Sequence, residues 1–299
     1  MLPQFKFLMP KTLPEALEMM DEISRVIPLA GGTSLLVDLR GRLSHPHTLI
    51  NIGGLDELRG IRIEEGYVVV GSAVTIADLK RNVLIAKHGQ VLQQATTVFA
   101  NPLVRNRATI GGNLAYGSPA ADTAPPLLVL DAEVELMSKD TRRTIPLKEF
   151  ITGVRKTVCH PRELVTAIRW PIPPEGSVGA FRKLGLRKAD AISVLSVAVM
   201  LHCKDTGDRD QVRIALGAVA PIPIRAAAAE ELLDREPLTP EVIARAAQLA
   251  SEATQAIGDI RGSAAYRRRV ITALVQRLLT NLAKGAKEKK RNESKGNHS

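Results

Sequence analysis

Two segments of this chain pair adjacent glycines with hydroxyl or amide side chains: Ala30-Gly31-Gly32-Thr33-Ser34 and Thr109-Ile110-Gly111-Gly112-Asn113. Glycine lets a backbone turn through positive φ and approach another group closely. Successive N–H groups in such a turn can gather into a concavity that binds an anion. Two such loops can contact both phosphates of a pyrophosphate, whereas either Gly-Gly alone is weak evidence, because most such pairs are simply turns. Around the first loop, the short apolar run 26–30 is strand-like, 35–40 has helical character, and 47–52 reads as a strand, which makes a small βαβ unit. Neither loop matches G-x-G-x-x-G or the phosphate-loop GK[ST] pattern, so a dinucleotide site here is of another design.

Elsewhere the pattern is mixed. Thr12 and Pro14 precede an amphipathic run over 14–22, as a capped helix start with proline in its first turn. Residues 61–64 and 67–71 flank Glu65-Gly66 as a hairpin, and Thr75 caps a helix to about Arg81. Residues 83–99 are helical in pattern, 101–121 are dense in Gly, Pro and small polar residues, and 132–137 and 164–170 are strands. The stretch PIPPEG at 171–176 is the candidate linker. Beyond it lie three strands, 180–186, 193–203 and 212–219, and then helical segments at 225–234, 240–257 and 262–284. Strands followed by helices predict an α+β domain with a sheet packed on helices.

Composition narrows the function. The chain has 299 residues, 45% hydrophobic and 24% charged, which is globular. Its two cysteines, Cys159 and Cys203, cannot form a disulfide framework or hold an iron–sulfur cluster, which normally takes four. With no secretory signal and no apolar run near the ~18–20 residues that span a bilayer, a cytoplasmic protein without a transmembrane segment is expected. The net charge of +10 is concentrated partly in the last sixteen residues, where Lys284, Lys287, Lys289, Lys290, Arg291 and Lys295 face Glu288 and Glu293. Such a segment reads as a disordered basic tail, 286–299. Aromatics at 3% leave few platforms for stacking bases, so no nucleic-acid partner is expected.

AGGTSLLVDLR, LINIGGLDELRGI, VGSAVTIADL and NPLVRNRATIGGNLAYGSPAADTAPPLLVLDAEVEL, in that order, resemble the FAD-binding medium subunit of molybdenum hydroxylases, the xanthine and carbon monoxide dehydrogenase type. FRKLGLRKADAISVLSVAV and IRGSAAYRRRV are similar to that family's C-terminal domain, so the resemblance covers roughly residues 1–285. It implies an α+β fold: a two-subdomain FAD-binding domain of the vanillyl-alcohol-oxidase/PCMH type, then a three-stranded antiparallel sheet with a helical bundle. The expected divisions are 1–57 for the βαβ subdomain, 58–173 for the second subdomain, and 177–285 for the C-terminal domain.

By the same resemblance, Ala30, Gly31, Gly32, Thr33 and Ser34, with Thr109, Ile110, Gly111, Gly112 and Asn113, cradle the FAD pyrophosphate. Asp122 hydrogen-bonds the cofactor's sugar or polyol part, Lys183 lies near the flavin ring, and Phe99 and Val165 place apolar side chains against the cofactor. Thr33 stands where covalent relatives of the fold carry a histidine, so FAD is expected to be non-covalent. The implied role is electron transfer with no substrate chemistry on this chain. Electrons come from [2Fe-2S] clusters of a small partner subunit, the molybdenum cofactor sits on a large one, and the acceptor is NAD or another molecule. A hetero-oligomer, a dimer of heterotrimers, follows from that picture. The alternative is a stand-alone flavoprotein oxidoreductase of the same fold.

Other residues read more plainly. Arg107-Ala108 replaces the small pair usual before the second loop, and Arg107 is expected in solvent. His45 and His47 lack further ligands for a metal site. Asp38 and Arg40 are expected to solvate their helix, and Asp259, Arg261, Arg267, Arg268 and Arg269 either dock a partner or form a solvated helix face.

Overall fold

The computed structural model describes residues 2–187, 190–202, 211–256 and 258–296, with side chains of the final helix described to residue 285. The chain forms two compact units, one of Met1–His88, Thr96–Ser118 and Asp131–Ile172, the other of Gly89–Ala95, Pro119–Leu130 and Pro173–Ser299.

The first unit opens with β1 (Lys6–Leu8), α1 (Leu13–Glu22), β2 (Val26–Leu29), α2 (Leu35–Arg40) and β3 (Thr48–Asn51). Thr12 caps α1 as its pattern predicts, its Oγ1 accepting from the Glu15 N–H at 3.3 Å. The helix buries Ala16, Leu17 and Met20 with Ile50, Ile52, Leu55 and Leu58. Full burial of such side chains contributes about 1.5–3 kcal/mol each, more than the cap, so packing rather than propensity holds α1. β2 and β3 are parallel and joined through α2, the expected βαβ unit. β1 joins the far edge of β3 in parallel. It escapes sequence reading because Lys6 and Phe7 are both exposed, leaving no alternation.

Next come β4 (Ile61–Glu64), β5 (Tyr67–Gly71), α3 (Ile76–Arg81), α4 (Val83–His88), α5 (Gln90–Val98), α6 (Pro102–Arg105), α7 (Ile110–Ala115) and α8 (Ala124–Val129). β4 and β5 form the expected hairpin, with Glu64 paired to Tyr67 across Glu65-Gly66. Then follow β6 (Glu133–Met137), β7 (Arg142–Pro146), α9 (Leu147–Phe150), β8 (Ile151–Gly153), β9 (Lys156–Thr157) and β10 (Leu164–Pro171). An antiparallel sheet of order β4-β5-β10-β6-β7 results. β7 is an edge strand whose arginines face outward: Arg142 pairs with Glu135, and Arg143 with Glu163 at 2.6 Å. Its charge hid it from a hydrophobic pattern.

The second unit holds β11 (Val178–Gly185), β12 (Ser193–His202), β13 (Gln211–Gly217), β14 (Ile224–Arg225), α10 (Ala227–Arg235), α11 (Pro240–Glu252) and α12 (Ala264–Gly296). Its antiparallel sheet has four strands, β11-β12-β13-β14, which corrects the expected three. β14 is two residues long and follows Pro-Ile-Pro, too short to show a period. One sheet face, with Leu195, Val197, Val199, Ile214 and Leu216, packs on Ala229, Leu233, Ile243, Ala247, Ile271 and Val275 of the three helices. The other is covered by α8 and by α5, whose N-terminal part belongs to this unit: Pro125 abuts Gly217, and Val91 abuts Gly179. Gln94 brackets β11, donating to the Gly179 carbonyl and accepting from the Phe181 N–H. Strands covered on both faces read as continuous apolar runs, as SVLSVAVML does.

The chain passes into the second unit at Pro173, while Gly89–Ala95 and Pro119–Leu130 join that unit from within the stretch assigned to 58–173. The backbone of α12 is helical through Gly296, so the disordered tail expected from 286 is not what the assigned backbone shows. Lys, Glu, Arg and Ala dominate that stretch and are strong helix formers. Side chains beyond 285, and residues 297–299 altogether, lie outside the described residues.

Candidate cofactor-binding site

The first glycine loop follows β2 directly. A Cβ on Gly31 would lie 1.8 Å from the Arg107 carbonyl oxygen, so this position admits no side chain without moving backbone. Gly32 has φ +71°, where side chains are strained. Leu36 and Asp38 return their N–H groups to the carbonyls of Gly32 and Ser34, closing the loop onto α2. Among the described residues, no hydrogen bond uses the N–H groups of Gly31, Gly32, Thr33 or Ser34. Four consecutive donors are therefore available to a ligand, and all four residues are only partly buried.

The second loop is spent differently. Ile110 N–H donates to the Val74 carbonyl and Gly111 N–H to the Ser72 carbonyl, both at 3.0 Å. Thr109 caps α7, its Oγ1 accepting from Gly112 N–H at 3.1 Å, and its carbonyl accepts from Asn113 N–H. Gly111 is pressed against Ser72, where a Cβ would come within 2.5 Å of the serine Cβ. Its main-chain donors thus hold the fold. Since Gly31 packs on the Arg107–Ala108 peptide just ahead of Thr109, the two loops are neighbours in one unit.

Asp38 is buried rather than solvated: it accepts from the Tyr116 hydroxyl at 3.3 Å and pairs with Arg155 at 3.4 Å. The Arg155 guanidinium also lies 4.7 Å from the Tyr116 ring centroid. Burial, then the Asp38 charge, raises the Tyr116 hydroxyl above its usual range. This cluster ties α2 to the end of α7, one helix from each loop. Arg107 is exposed, as expected, while Arg105 turns back to donate to the Phe99 and Ala100 carbonyls. Phe99 and Val165 are both buried in this unit, Val165 at a bulge in β10.

In the second unit, Asp122 and Lys183 form an ion pair at 2.5 Å, each side chain more than nine-tenths buried. The other Asp122 oxygen accepts from the Ser193 hydroxyl at 2.7 Å. Burial pushes the Asp122 carboxyl up, against the charge and hydrogen bond of Lys183 and the hydrogen bond of Ser193. Ser193 is held in turn, its carbonyl accepting from Arg261 at 3.0 Å. Asp259 joins Arg261 to Arg267, accepting at 2.6 Å from each. Arg267 is 2% exposed and donates to the Val194 and Ala218 carbonyls, so it braces the interior instead of facing a solvated helix surface. Sequence reasoning picked out Asp122 and Lys183 but missed Ser193, whose signal, a lone serine at a strand start, is indistinct.

No group of His, Cys, Asp or Glu suited to a metal occurs among the described residues. His47 instead meets Arg25 at 3.1 Å. Burial raises the Cys159 thiol to about 11, and Cys203 lies outside the described residues. Among the described residues, no helix is long and apolar enough to cross a membrane.

A loop of unspent N–H donors beside a bare glycine backbone in the first unit suits an anionic, phosphate-bearing cofactor. Comparison with known proteins identifies which one. Residues 3–173 match the FAD binding domain in molybdopterin dehydrogenase, and residues 180–282 the CO dehydrogenase flavoprotein C-terminal domain. A putative xanthine dehydrogenase FAD-binding subunit of Escherichia coli K12 is 30% identical, covering 92% of this chain and 94% of the relative. The carbon monoxide dehydrogenase medium chain of Hydrogenophaga pseudoflava is 32% identical, covering 93% and 96%. A solved carbon monoxide dehydrogenase from H. pseudoflava, lacking the Mo-pyranopterin moiety, superimposes with a TM-score of 0.90 at 33% identity, covering 96% of this chain and 99% of that one.

The chain is thus an FAD-binding oxidoreductase subunit. It belongs to the family of FAD-carrying medium subunits of molybdenum hydroxylases of the xanthine and carbon monoxide dehydrogenase type. The four open donors and the bare backbone of the first loop fit FAD, whose pyrophosphate needs donors and close approach.

Proposed function

We propose that this chain holds FAD non-covalently and passes electrons from the iron–sulfur clusters of a small partner subunit to NAD or another acceptor. A large partner subunit carrying the molybdenum cofactor would do the substrate chemistry, and the three chains would assemble as a dimer of heterotrimers. The observation that carries the reading is the run of unpartnered N–H groups from Gly31 to Ser34.

In this reading Ala30, Gly31, Gly32, Thr33 and Ser34 bind the pyrophosphate by main-chain donors. Thr109, Ile110, Gly111, Gly112 and Asn113 act mainly as the wall that fixes the first loop, because the N–H groups of Ile110, Gly111, Gly112 and Asn113 are spent within the chain. The Asn113 side chain is the group of that loop assigned to the cofactor. Phe99 and Val165 offer apolar surface, and Asp122 and Lys183 act on the polyol and ring portions. Bound flavin supplies the exchange between one-electron and two-electron chemistry; the chain binds it, orients it and tunes the charge around it. The lack of a histidine at Thr33 supports non-covalent attachment.

The test is co-expression with candidate large and small subunits. Reduction of the flavin by a substrate only when all three chains are present is the expected result. A lone chain that turns over a small molecule with its own bound flavin would replace this reading with the stand-alone oxidoreductase.

A further inference from the structure

The pair Asp122–Lys183 is one end of a longer chain of contacts inside the second unit. Ser193 opens β12 and uses both of its polar groups: its hydroxyl donates to Asp122 Oδ1 at 2.7 Å, and its carbonyl accepts from Arg261 Nη1 at 3.0 Å. Arg261 is aimed by a fork onto Asp259, with Nε at 3.0 Å and Nη2 at 2.6 Å from Oδ2 and its own N–H at 2.8 Å from Oδ1. Asp259 is anchored by the buried Arg267. Ser193 itself is 1% exposed, so its hydroxyl does not turn to water. A carboxylate nine-tenths buried disfavours its charge unless donors face it. Here those donors are Lys183 on β11 and Ser193 on β12.

We propose that Ser193, held from behind by Arg261, is a positioning residue that keeps Asp122 anionic and thereby sets the reduction potential of the flavin. The proposal rests on the reading that Lys183 lies near the flavin ring. With the serine present, Asp122 balances the Lys183 ammonium and the pair is close to neutral. Without it, one of the two donors that offset the burial of the Asp122 charge is lost, protonation of that carboxyl is favoured, and the pair becomes more positive. Positive charge favours the reduced, electron-rich flavin, so the potential rises.

The experiment loads the full chain with FAD and measures the two-electron midpoint potential and the FAD dissociation constant for wild type, Ser193→Ala and Ser193→Thr. Ser193→Ala is expected to favour reduced over oxidised flavin by about tenfold, a rise of about 30 mV for a two-electron couple. Oxidised FAD should bind within about threefold of wild type, and Ser193→Thr, which keeps the hydroxyl, should restore the potential. Arg261→Lys, which loses the fork onto Asp259, should shift the potential in the same direction. A merely structural serine would change retention of FAD or thermal stability and leave the potential where it was. An unchanged or lowered potential in Ser193→Ala overturns the proposal while leaving FAD binding intact. A wild-type chain that retains no FAD removes the cofactor placement and this proposal with it.

Discussion

Arg267 takes a positive charge into the interior of the second unit, where Asp259 is its counter-charge, two carbonyls accept from its Nη1, and its Nε has no partner among the described residues. Removing one partner of a buried pair leaves the other uncompensated, at a cost of about 3–5 kcal/mol. Asp259→Asn should therefore destabilise the chain by about 3 kcal/mol in denaturant titration, and a loss under about 1 kcal/mol would contradict the assignment. Hydrogen bonds from Arg261 hold the Asp259 carboxyl well below the usual range. Its contribution is thus complete above the unfolded value near 3.9 and fades as pH falls toward the lower folded value; the wild-type advantage over the asparagine variant should shrink below about pH 4. In the first unit, the Ser72 hydroxyl is buried without a partner among the described residues. Deleting an unsatisfied buried group is neutral or favourable, so Ser72→Ala should keep or raise stability by up to about 1 kcal/mol; a clear loss would reveal a hidden partner. Cys159, raised to about 11, should react slowly with iodoacetamide at pH 8.

At the scale of elements, Thr109 joins local and tertiary order. It ends the bridge to Thr75 and caps α7, and both threonines are caps. Thr109→Ala should cost about 1 kcal/mol as a lost cap and weaken FAD retention, because the wall behind Gly31 loosens; Thr75→Ala should cost similar stability. Caps and turns of this kind were legible in the chain, as were α1, α2, α3 and the β4–β5 hairpin, since each is announced within a few residues. Edge strands were not: β1 and β7 expose most of their side chains, and β14 is two residues long. The division of labour between the two glycine loops was equally hidden. Both look like anion cradles in sequence, yet in the second the Ile110 and Gly111 donors are taken by Val74 and Ser72, distant partners supplied only by folding. Asp122 and Ser193, separated by 71 residues, illustrate the same barrier.

For the molecule as a whole, the family relationship and the fold agree over nearly the full chain, with the matched segments meeting near the Pro173 passage between units. The motifs that carried the resemblance turn out to be places where backbone touches backbone or a charge is buried, which explains why they are readable: few residue types satisfy those positions. The central claim is that the first glycine loop binds FAD. It is tested most directly by adding FAD to the purified chain, removing the excess by gel filtration, and recording the visible spectrum of wild type and Gly31→Ala. Wild type should retain the flavin bands and release them on acid denaturation. Gly31→Ala, whose new methyl meets the Arg107 carbonyl, should lose them. Equal retention by a folded Gly31→Ala chain would contradict the account.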